Sequence, residues 1–171
     1  MNNKQSLYLL WATILNQSQN AEIVLKNTIK LFERLNLLSD FDKEYKRLSY
    51  EKIKRKIAEK PCLHRFPTNM SINIWDSICT INEEYGGNPR EIFKGSNKIN
   101  DIKERLMQFR GIGEHKADTA IIILKIYTEN KELNNLFNIK CTELYRTIGQ
   151  EIQILDELGD IKSWLIKYFL T

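Results

Sequence analysis

The chain has 171 residues, a formal net charge of +4 and 42% hydrophobic residues, enough for one domain or two small lobes around a shared core without covalent staples. No apolar run reaches membrane-spanning length, and the first twenty residues lack the basic start and small-residue cleavage site of a secretory leader, so a soluble cytoplasmic protein is expected. Cys62, Cys79 and Cys141 are odd in number and far apart, which argues against a disulfide framework or a cysteine-rich metal site and leaves them as thiols.

Three prolines and seven glycines punctuate the chain, and the apolar period between them is mostly 3.6 residues, so the expected fold class is all-α. "SLYLLWATIL" begins a first helix with Leu7, Leu10, Trp11, Ile14 and Leu15 on one side. A polar break, "NQSQN", separates it from a second helix, "NAEIVLKNTIKLFERL", whose apolar side carries Val24, Ile29, Phe32 and Leu35. The basic excess follows: residues 1–60 hold 12 Lys and Arg against 7 Asp and Glu, and the stretch 43–60 holds eight against three. A solvated helix face and a polyanion-binding face both suit such a run.

The next segment, "MSINIWDSICTINEEY", carries Ile74, Trp75, Ile78 and Ile81. "GGNPREIF" then gives a glycine stop and a new helix start, with Asn88 as N-cap, Pro89 at the first position and Glu91 at the third. Ile99, Ile102, Leu106 and Phe109 form one helical stripe, and Ala117, Ala120, Ile121 and Leu124 form another. Between the two stripes stand two glycines one residue apart. Beyond residue 124 the pattern weakens through "YTENKELNNLFNIK", and "TELYRTIG" and "DIKSWLIKYFL" read as shorter closing helices.

A turn in which Gly111 and Gly113 flank an inward Ile112 brings bare amides to the surface at the start of a helix. Unpaired N–H groups and the positive end of the helix dipole favour a phosphate oxygen there, and missing side chains let a nucleic-acid backbone come close. A plain interhelical turn is the other reading of Gly-x-Gly alone.

Three stretches together resemble the helix-hairpin-helix DNA glycosylases, the superfamily that includes endonuclease III, the mismatch adenine glycosylases and the 8-oxoguanine glycosylases. "FRGIGEHKA" is similar to the family hairpin, "ILNQSQNAEIVLKNTIKLFERL" to the early Gln-rich loop and its following helix, and "TELYR" to the segment after the catalytic aspartate. The resemblance implies that Gly111, Gly113 and Lys116 grip phosphates beside a flipped nucleotide while Gln17 fills the hole left in the duplex. Extruding a base costs a few kcal/mol of unstacking, part of which a replacing side chain recovers.

The resemblance is incomplete at the chemistry. Bifunctional members carry a Schiff-base lysine where this chain has His115, and Lys116, one helical residue on, points about 100° away. His115 either orients a water or lines the pocket. Alignment through Arg146 places Cys141 at the family's aspartate, whereas counting from the hairpin lands near Asn134 or Asn135. A carboxylate is needed because charge builds on the sugar as the glycosidic bond breaks. The nearest acidic groups are Glu143 and Asp118, the latter three residues from His115 on one helix face; each also suits a surface or capping role. The iron–sulfur cysteine quartet of some relatives is absent, so no metal or cofactor is expected.

The expected architecture is a two-lobed all-α glycosylase fold: a helical barrel over 20–125 with the hairpin, a second lobe from 1–19 plus 126–171, and the site in the cleft. The expected partner is double-stranded DNA, with no membrane. The leading function is a base-excision N-glycosylase, hydrolytic because His115 replaces the lysine, with His115, Cys141 and Asp118 as candidate catalytic residues. A catalytically silent DNA-binding relative and a helical interaction protein without DNA affinity are the alternatives.

Overall fold

The computed structural model describes residues 2–19, 21–94 and 99–128, with backbone alone at 21, 22, 99 and 122–128. Expectations for Asn134, Asn135, Cys141, Glu143, Arg146 and the closing helices lie outside the described residues. Among the described residues seven α-helices run in order: α1 (Asn3–Leu15), α2 (Ala21–Arg34), α3 (Phe41–Tyr45), α4 (Tyr50–Ala58), α5 (Pro67–Glu84), α6 (Ile99–Met107) and α7 (Glu114–Thr128), with a short 3-10 turn at Pro89–Phe93. No strand occurs among the described residues, and the all-α class holds.

α1 is the centre of the packing. Its start is closed by a reciprocal cap in which Asn2 Oδ1 accepts the Gln5 N–H at 2.9 Å and Gln5 Oε1 accepts the Asn2 N–H at 2.8 Å. A one-sided helix is expected from Leu7, Leu10, Trp11, Ile14 and Leu15, but every residue from Gln5 to Leu15 is buried. The reason is its surroundings: α2, α5, α7 and the 3-10 turn all pack on it, and a helix enclosed by neighbours is buried around its whole circumference. Its polar residues bond locally, the Thr13 hydroxyl donating to Leu9 O at 2.7 Å. Trp11 and Tyr8 meet Phe32 of α2 edge to face at 5.3 and 5.8 Å, and Trp11 Nε1 donates to Ser77 Oγ of α5 at 3.2 Å.

The basic stretch forms two helices. Asp40 and Ser49 cap α3 and α4 through the Lys43 and Lys52 amides. α4 buries Ile53 and Ile57, and its carboxylate neighbours take part of the positive charge, with Lys52 on Glu44 and Lys56 on Glu59, each at 2.8 Å. Lys54 and Arg55 stay exposed. No glycine follows α4 to close it. Arg34 does so instead, its guanidinium donating to Lys56 O, Glu59 O and Pro61 O at 2.8–2.9 Å. At 88–93 the expected capping is present, with Asn88 Oδ1 accepting the Arg90 N–H at 3.3 Å, but the segment closes as a five-residue 3-10 turn. Among the described residues no helix is long and apolar enough to cross a membrane.

Candidate nucleic-acid interface

α6 and α7 lie side by side, joined by residues 108–113. The turn tightens through Phe109 N–H to Leu106 O at 3.2 Å and Ile112 N–H to Phe109 O at 3.1 Å. Phe109 and Ile112 are buried and hold the turn to the core. α7 closes its first bond from Ala117 N–H to Gly113 O at 3.0 Å, so amides earlier in the chain stand at the helix's open, electropositive end.

The two glycines serve different ends. Gly111 has φ +85°, and a Cβ there would sit 2.6 Å from Asn73 Nδ2 of α5; backbone and packing both call for its bare Cα. Gly113 lies outside the positive-φ region, and a Cβ there meets nothing within 4 Å. It is the exposed N-cap of α7, a position where glycine is well tolerated, and no packing contact requires its missing side chain.

Lys116 faces α1. Its ammonium donates to Gly111 O at 2.8 Å and to Ile14 O at 3.1 Å, tying the hairpin to the end of α1, and burial lowers its pKa. The polar turn holding Gln17 begins two residues beyond Ile14. Gln17 and Ser18 are exposed, and Ser18 has φ +56°, a left-handed conformation that serine rarely takes. One nitrogen thus ties the hairpin to the last turn of α1, from which the Gln17 turn continues.

His115 is exposed in the first turn of α7, where its carbonyl accepts the Thr119 hydroxyl at 3.0 Å. Asp118 faces α6, its carboxylate 2.8 Å from Lys103 Nζ, which also bonds Glu114 Oε1 at 2.8 Å. Burial works against the Lys103 charge, but Asp118 and Glu114 together raise its pKa above the ordinary value, and the Lys103 hydrogen bond holds Glu114 below its own. Two residues separate Asp118 from Lys116, about 200° around the helix, so the acid and the amine work on opposite sides of α7.

Sequence reasoning passed over His64, which is buried in the connection before α5. Its Nδ1 accepts the Phe66 N–H at 3.0 Å and its Nε2 lies 3.2 Å from Gln17 O. Only two histidines occur in the chain, and the available clue was a lone polar ring in "CLHRFP" just ahead of a helix-starting proline. Next to it, the Arg65 guanidinium lies over the exposed Phe66 ring, 4.7 Å from its centroid. Comparison with family models, curated proteins and solved structures finds no match for this chain.

Proposed function

We propose that the chain is a DNA-binding N-glycosylase of the base-excision type, which holds duplex DNA at the α6–α7 hairpin and extrudes a damaged or modified base with Gln17 entering the gap. The observation that carries this reading is Gly113. Glycine is a favoured residue at a helix N-cap, the position Gly113 holds, and since neither a positive φ nor packing requires it there, its bare Cα also leaves room for a phosphate at the open end of α7. The Gln17 turn, which continues from the end of α1 that Lys116 ties to the hairpin, supplies an exposed polar side chain. His115 at the lysine position favours hydrolysis over a lyase reaction.

A second reading, a silent relative that binds DNA without cutting it, is favoured by one observation: Asp118 and Glu114, the acidic residues of the first turns of α7, are both held by Lys103. The two readings share the hairpin and part at the chemistry. Gly113→Asp should weaken binding to duplexes of every sequence about equally, because phosphate contacts carry no base information. Wild-type affinity in a folded Gly113→Asp protein would remove the hairpin reading. A screen of duplexes carrying uracil, 8-oxoguanine, alkylated purines and mismatches, developed with alkali, then separates enzyme from silent binder. Borohydride trapping that disappears in Lys116→Ala would make the reaction a lyase.

A further inference from the structure

His64 joins the turn after α1 to the connection that opens α5. The Phe66 N–H is a donor, so the nitrogen it meets, Nδ1, carries no proton. The ring proton therefore sits on Nε2, which donates to Gln17 O at 3.2 Å. The imidazole is neutral and used at both ends: one nitrogen fixes the residue that opens α5, the other fixes the turn that follows α1. The charged groups acting on it are Lys116 of α7 and Arg65 of its own connection, while the end of α1 offers the carbonyls of Gln17 and Leu15. Burial is the largest influence and, with the two cations, pulls the ring below its ordinary value of 6.5; the two carbonyls pull the other way.

We propose that His64 is a positioning residue, a neutral-imidazole latch that fixes the Gln17 turn and thereby makes insertion of Gln17 into a duplex depend on the ring staying unprotonated. The second half rests on the DNA-binding reading above; the first does not. A proton on Nδ1 turns the acceptor of the Phe66 N–H into a second donor facing it and adds a cation beside Lys116. The Phe66 bond is then lost and the ring is pushed out of its seat. Because the fold holds the neutral form, the latch stays complete through the ordinary value of 6.5 and is lost only as pH falls through the lower value of the folded chain.

The test uses the whole chain and two short duplexes, one with an abasic-site analogue that leaves a gap for Gln17 and one intact, with affinities read between about pH 5 and pH 8. Wild type should lose its preference for the gapped duplex about threefold to tenfold on acidification, the size of one buried hydrogen bond. His64→Gln, whose amide places an N–H near the Nε2 position, should keep the preference and lose the pH response; His64→Asn, too short to reach Gln17 O, should lack the preference throughout. Wild-type preference and pH profile in His64→Asn would overturn the latch. If wild type binds neither duplex, the DNA reading falls, and the backbone resonances of Gln17 and Ser18 decide the latch. Movement that tracks His64 titration and is flat in His64→Gln supports it; no movement overturns it.

Discussion

The turn between α6 and α7 and the turn after α1 are built on opposite principles. The 108–113 turn owes its shape to absence: Gly111 at φ +85° lets the backbone lie against Asn73, and Ile112 plugs the interior. The turn after α1 has no glycine, and Ser18 takes φ +56° at some cost. Its shape is held from outside, by His64 bonding Gln17 O from a connection 47 residues further along the chain. A turn made by bare backbone takes a shape that a side chain at the same position would oppose. One held by a distant side chain follows that side chain's chemistry, protonation included.

The sharpest way to break the contrast is Gly111→Ala. An L side chain at this φ, with its Cβ inside the contact distance of Asn73, should cost about 2 kcal/mol in urea unfolding. Adding Asn73→Ala should return only the part due to crowding. A Gly111→Ala protein as stable as wild type would show that the hairpin turn is not fixed by its backbone.

Ser18→Gly tests the other turn. Relief of the left-handed strain, less the entropy that glycine loses, should gain about 0.5 kcal/mol in stability. A loss of stability instead would mean that the serine conformation is not strained.

A small stability effect is expected at Gly113→Ala, a loss of about 0.5 kcal/mol, since its Cβ enters open space but alanine is a poorer N-cap for α7 than glycine. Duplex affinity should nonetheless fall. A change confined to stability, with affinity intact, would move Gly113 out of the interface and leave both glycines as elements of packing.

These differences also mark what sequence could and could not tell. The hairpin was legible because glycine, buried isoleucine and flanking stripes are local patterns, and the core residues Phe109, Ile112 and Ala117 are where the period puts them. The enclosure of α1 was not legible, since Ser6, Thr13 and Gln5 read as an outer face until α2, α5 and α7 surround them. Nor was the pairing of Asp118 with Lys103, fifteen residues apart on two helices, or the orientation of Lys116 toward Ile14 O. Side chains that bond across the fold leave no periodic trace. His64 belongs to this group, and so does Arg34, which stands in for a glycine stop after α4.

That last feature bears on how the molecule opens. Arg34 is largely buried at the end of α2 and gathers three carbonyls from the end of α4 and the connection beyond it, while Leu63 N–H takes Ile57 O at 3.0 Å. A helix of nine residues whose last turn ended in water would fray and exchange its amides at little energetic cost. Here the last turn of α4 is held by a side chain of α2 while the helix itself packs mainly on α5, so its amides are expected to open together with those neighbours rather than by fraying from the end.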